Sequence, residues 1–153
     1  MTAISKSWRT VDNPLAPDSF EFKVPAKPAN AIWTRILDYV APPVTLRISA
    51  SGTWKPVDFL AECGADGFRH WVYDRSLLLM KKAPLGALIG KIGGSDSSEE
   101  ESEIFLVGSS AVITYTDLQK TPPFGPLYLT INDTRFGLED NTGVLTVKCE
   151  VAD

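Results

Sequence analysis

The feature that most constrains this chain is a recurring pattern of short alternating runs, each closed by turn residues. Val144 to Val151 shows it most clearly, with Leu145, Val147, Cys149 and Val151 alternating with Thr146, Lys148 and Glu150. A strand places successive side chains on opposite faces, so this run has one face for burial and one for water. Val44 to Ala50 repeats the pattern, with Val44, Leu46, Ile48 and Ala50 on one side and Thr45, Arg47 and Ser49 on the other, before Ser51-Gly52 ends it. Ile104 to Val107, Ala111 to Tyr115 and Leu127 to Asn132 continue the series, the last preceded by a Pro122-Pro123-Phe124-Gly125-Pro126 corner. Short strands at this spacing predict an all-β fold, an antiparallel β-sandwich with a jelly-roll-like arrangement.

The remaining segments fit that frame. Residues 1–19 read as an irregular lead-in, and residues 20–153 as one sandwich domain whose first strand, around Phe20, Phe22 and Val24, is an edge strand because prolines flank it. Ala31 to Val40 is open between a strand and one short helix, since Ile32, Ile36 and Val40 keep helical spacing ahead of Pro42-Pro43. Trp54 to Gly67 reads as a long ordered loop anchored by Trp54, Phe59 and Leu60. Trp71 to Met80 and Ala87 to Ile92 read as strands, the second central because it is almost wholly apolar. Asp96 to Glu103, rich in Ser and Glu, reads as a solvated hairpin loop.

Composition removes several classes of function. A formal charge of -4 over 153 residues lacks the basic footprint that phosphate backbones demand, so no nucleic-acid partner is expected. No apolar run reaches the roughly 20 residues needed to span a bilayer, and Met1 to Asn13 lack the apolar core of a secretory signal. The expectation is a soluble chain, cytoplasmic or released without a visible signal peptide, with no membrane insertion. Two cysteines, Cys63 and Cys149, are too few for a disulfide framework or a four-thiolate zinc site, and the expectation is two reduced thiols. A single histidine, His70, leaves little room for imidazole-based nucleophilic catalysis. Gly86 to Gly94 is a phosphate loop only in outline, because its glycine spacing is one short and Ile92 stands where a hydroxyl must hold magnesium. Its small residues are expected to let backbones approach closely.

Chemistry concentrates between Ile131 and Gly143, where Asp133, Asp140 and Asn141 bring several side-chain oxygens into one connection between two strands. Hard cations such as calcium take six to eight oxygens, and this loop with its free carbonyls offers most of them. It is not an EF-hand, because the acidic positions do not fall in register. By residue type alone, an ordinary Asp/Asn/Gly-rich hairpin fits better than a calcium site.

Three stretches carry a resemblance: Pro84-Leu85-Gly86-Ala87-Leu88-Ile89-Gly90-Lys91-Ile92-Gly93, Leu127-Tyr128-Leu129-Thr130-Ile131-Asn132-Asp133 and Asp140-Asn141-Thr142-Gly143. Together they resemble the bacterial calcium-dependent galactose-binding lectins of the LecA type, as does Val44 to Trp54. The resemblance covers roughly residues 20 to 151. It implies that Asp133, Asp140 and Asn141 ligate calcium through side chains, Gly137 through its carbonyl, and the Lys55-Pro56 region through another carbonyl. It further implies that the metal coordinates two adjacent sugar hydroxyls, with Asp133 and Asp140 shared between ion and sugar and Thr134 beside them.

The family's first ligating Asn is Asp140 here, which adds negative charge and turns a donor into an acceptor. Its pocket-wall His and Gln fall near Tyr73 and Ser76, and Tyr73, His70 and Asp66 are candidates for rebuilding that wall. The implied function is reversible recognition of galactose or a galactoside-like glycan by a homo-oligomer, with no bond broken. The rival readings are a calcium-stabilised structural or protein-interaction sandwich, and a glycosidase using Asp133 and a glutamate.

Overall fold

The computed structural model describes residues 19–28, 32–40, 44–57, 60–68, 77–93, 104–115, 125–134, 138 and 141–152. Of the lead-in expected over residues 1–19, residues 1–18 lie outside them, as does the acidic run Asp96–Glu103, while Ser19 already belongs to the first strand. The described strands are β1 (Ser19–Pro25), β2 (Thr34–Val40), β3 (Val44–Lys55), β4 (Leu88–Ile92), β5 (Ile104–Leu106), β6 (Ser110–Tyr115), β7 (Gly125–Ile131) and β8 (Thr142–Ala152). They form two four-stranded antiparallel sheets, ordered β1-β8-β3-β6 and β2-β7-β4-β5. First pairs with last, second with seventh, third with sixth and fourth with fifth. That nesting is a long antiparallel ribbon rolled on itself, the jelly-roll sandwich expected from the alternating runs.

The alternation decides which side of each sheet is dry. Val24, Leu46, Ile48, Leu145, Val147 and Cys149 from the first sheet and Leu88, Ile92, Leu127, Leu129 and Ile131 from the second are all buried in one core. The outer face of the first sheet is wet at Glu21, Lys23, Ser49 and Ser51, but at its other end Thr45 and Glu150 are buried, the latter accepting from Arg47 Nε at 2.9 Å. The central strands of the second sheet, β4 and β7, are dry on both sides. Ile89, Lys91, Tyr128 and Thr130 on its other face are also buried, and Thr130 Oγ1 donates 2.7 Å to the carbonyl of Ile32. Lys91 Nζ sits 5.0 Å from the Trp33 ring and 5.2 Å from that of Tyr128, an aromatic setting that stabilises a cation removed from water. Two-sided burial explains why β4 is nearly continuous in apolar residues.

Local expectations change at Gly52 and Trp54. Ser51-Gly52 does not end β3; Gly52 takes φ +102° and the strand continues in register with β8 to Lys55. A glycine there lets the backbone turn without steric cost and keep pairing. Trp54 is therefore a strand residue, and its backbone exchanges 2.9 Å hydrogen bonds with Cys63 that fold the following loop back. Within Trp71 to Met80, residues 71–76 lie outside the described residues, while Leu78 makes one isolated bridge to Thr134. Ala31 to Val40 resolves as strand from Thr34, and register shifts between Arg35 and Leu37 and between Leu37 and Val40 account for its poor alternation.

Close approach across Gly86 is as expected. Its φ is +88°, and a Cβ there would lie 2.7 Å from Cys63 Sγ. Both cysteines are free and buried. Burial pushes the Cys63 thiol up to about 11, against a smaller lowering by a hydrogen bond with Trp54. Burial, then the neighbouring charge of Glu150, pushes Cys149 up to about 12.

Both thiols thus stay neutral in the fold where the unfolded chain ionises, near pH 9.0. Stability from this source is complete below that pH and is lost as pH rises through the folded values. Melting temperature should fall from pH 9 towards pH 11, with a shallower decline in a Cys63→Ala/Cys149→Ala variant. Equal slopes in calorimetry would contradict this assignment.

Candidate functional site

Among the described residues, one end of the sandwich carries Asp133, Thr134, Asn141, Lys55 and Pro56, because the ladders stop there together. β7 leaves its sheet at Ile131 and continues into Asn132, Asp133 and Thr134, while β8 begins at Thr142 just after Asn141. β3 ends with Lys55 in register opposite Thr142, and β1 ends with Pro25 opposite Val144. Lys55 and the buried Pro56 thus adjoin Asn141, although far from it in sequence.

Asn132 builds the wall of this rim. Fully buried, it accepts from the Met80 amide at 2.9 Å and donates through Nδ2 to the carbonyls of Met80, Ala83 and Pro84, each at 3.0 Å. Its backbone extends the β4–β7 ladder by two 2.8 Å bonds, to the Gly86 amide and the Ala87 carbonyl. Gly86 in turn accepts the Trp54 indole N–H at 2.7 Å, which ties the end of β3 to the same wall. A single amide side chain therefore satisfies a turn that has no regular secondary structure.

Asp133 is 4% exposed; Oδ1 accepts from the Thr134 amide at 2.7 Å, and Oδ2 is also buried. Its carbonyl accepts from the Leu79 amide at 3.0 Å, which holds the 78–84 segment alongside. Asn141 is 3% exposed and differs from Asn132 in one respect. Its Nδ2 donates 2.9 Å to the Ala26 carbonyl, but Oδ1 is buried and accepts no hydrogen bond from the described residues. The bond to Ala26 fixes which end of the amide carries the oxygen. A buried acceptor left without a donor costs about 1–3 kcal/mol, so such an atom calls for a water or a cation.

The donor set so described is hard and oxygen-based, which fits calcium better than a transition metal. Among the described residues no group of three or more His, Cys, Asp or Glu is placed to hold a metal ion. Gly137 and Asp140, the other two positions of the predicted loop, lie outside the described residues, as do Tyr73, Ser76 and His70. Thr134 is half-buried beside Asp133. Asp66 has separate employment: its Oδ1 accepts from the Ser109 amide at 2.8 Å and its Oδ2 from the Ser109 hydroxyl at 3.1 Å. That carboxylate braces the turn between β5 and β6.

Sequence reasoning did not single out Asn132 or the Ala26 carbonyl. An asparagine directly after an apolar strand reads as a turn residue, and nothing in sequence reveals which distant turn its amide closes. The carbonyl of an alanine carries no signal at all.

No family model matches the sequence, and no curated protein matches it. Among solved structures the chain is similar to the N-terminal domain of EclA, described as a PllA-like lectin, with 19% identity. The match covers 89% of this chain and 98% of that one, with a TM-score of 0.59. Likeness at that identity establishes a shared sandwich fold.

Replacing Asn132 by Ala removes the partner of the Met80 amide and the Ala83 carbonyl, and one of two partners of the Met80 and Pro84 carbonyls, which also accept from the Ala83 and Ala87 amides. Urea denaturation should show a loss of about 2–4 kcal/mol. A loss below about 0.5 kcal/mol, the range of ordinary surface changes, would mean that the turn is held by other contacts.

Proposed function

We propose that this protein is a carbohydrate-binding lectin that grips its sugar through a calcium ion at the rim formed by the ends of β3, β7 and β8. The observation that carries the reading is the buried Asn141 Oδ1, held in place by the Ala26 bond, at the rim that also holds the buried Asp133 carboxylate. The sandwich shared with a domain described as a PllA-like lectin supports it. In this reading Asp133 and Asn141 ligate through side-chain oxygens. Asp140, the Gly137 carbonyl and a carbonyl of Lys55 or Pro56 complete the set, as the resemblance to the LecA-type lectins implies.

When bound, calcium offers two positions that adjacent hydroxyls of galactose or a related glycan take in place of water. The chain's own part is positional. Ala26 orients the Asn141 amide, the Thr134 amide holds Asp133 Oδ1, and the Asn132-stapled turn forms the neighbouring wall. An uncharged sugar needs no counter-charge, so a site of this kind binds and releases its ligand without breaking a bond.

Calorimetric titration of chelator-stripped protein with calcium, then with galactose, tests this. One calcium per chain followed by heat from galactose is the expected result. Asn141→Ala should weaken calcium at least tenfold, in line with losing one direct oxygen ligand. Calcium binding without heat from any sugar on a glycan array would favour a calcium-stapled structural domain instead. Absence of calcium binding would remove the metal and the sugar mechanism together.

A further inference from the structure

Four strands end the two sheets, and they are not equivalent. β5 is only three residues long, and β2 is broken by two register shifts, a usual way of discouraging further pairing. β6 is regular but carries no charged side chain to fix a partner's register. β1 is regular along its whole length against β8, and among the described residues no strand pairs with its other edge.

The sequence of β1, SFEFKVP, is self-complementary when run antiparallel to itself. Centred on Phe22, such pairing sets Phe22 against Phe22 of the other copy and Phe20 against Val24. It sets Glu21 against Lys23 twice, once in each direction. Glu21 and Lys23 are both exposed on the wet face of the sheet. Lys23 Nζ already donates 2.7 Å to Thr146 Oγ1, which holds the ammonium on that face with further N–H groups to give. Charges on an edge normally deter a second strand; these two are spaced so that self-pairing places each opposite its counterpart.

On the other side of β1 Val24 is buried in the core, while Phe20 and Phe22 are only half-buried. Phe20 and Phe22 stack with ring centroids 6.1 Å apart. With Ile36, Leu37, Tyr39 and Val151 they line a groove of about 540 Å³ between the edges of β1 and β2, and Tyr39 is 65% exposed. A second copy seated on β1 brings its own phenylalanines to that groove. We propose that β1 is the self-association surface of this protein, joining two copies by antiparallel β1–β1 pairing into one continuous eight-stranded sheet. Because the two strands run in opposite senses, the Asp133–Asn141 rims of the two copies point in opposite directions. Resting on the function proposed above, that arrangement suits bridging two glycan-bearing surfaces rather than gripping one.

Sedimentation equilibrium of the full chain in chelator tests the interface independently of calcium and sugar. The expected result is a dimer that weakens with added salt, since the pairs are exposed. Lys23→Glu and Glu21→Lys, each placing like charges opposite one another twice, should each weaken the dimer roughly tenfold or more. Glu21→Lys combined with Lys23→Glu restores the complementary pattern and should recover wild-type association, which separates the effect from misfolding. A wild-type monomer, a dimer indifferent to Lys23→Glu, or a double variant that fails to recover would each overturn the proposal.

Discussion

The ladder between β3 and β8 is the constraint on which the rest of this structure depends. It runs in unbroken register from Thr45 opposite Ala152 to Lys55 opposite Thr142, and each strand pairs on its other side with β6 or β1. A two-residue side-chain period means that a slip of one residue would turn Leu46, Ile48, Leu145, Val147 and Cys149 out of the core. Their complete burial locks the register. Fixing the register in turn fixes where the ladder stops, and so sets Lys55 and Pro56 beside Asn141. The rim chemistry is a consequence of core packing at a distance.

At that rim two buried asparagines have opposite roles. Asn132 uses both ends of its amide on backbone groups of the 80–84 turn. Asn141 uses only its nitrogen, on Ala26, and presents its oxygen without a described donor. Satisfied buried networks rigidify a fold, while an unsatisfied buried acceptor is tolerated where a ligand completes it. The rigid wall and the acceptor stand at the two ends of a single connection, because Asn132 follows β7 and Asn141 precedes β8.

How much of this was legible follows from the range of each interaction. Strands with clean alternation, such as Val44–Ala50 and Val144–Val151, were readable because their signal is local and repeated. β3 was read too short at Ser51-Gly52, since a glycine that ends a strand and one that lets it bend and continue look alike in sequence. β2 was left open between strand and helix because two bulges disturb its period. Asp133 and Asn141 were singled out by residue type, and resemblance implied the Lys55-Pro56 corner. Asp66 was considered for the pocket wall, but its carboxylate is engaged by Ser109, a partner far along the chain.

The sequence by itself determined the all-β class, the core faces of the main strands and the oxygen-rich loop, because each rests on periodicity or residue chemistry within a short window. Tertiary structure alone decided which oxygens are occupied. Whether a carboxylate or amide braces a turn or faces a ligand depends on partners such as Ala26, Met80 and Ser109, brought close only when the nested ladders close. Those partners are mostly backbone groups, which every residue carries, so no side-chain pattern could have announced them.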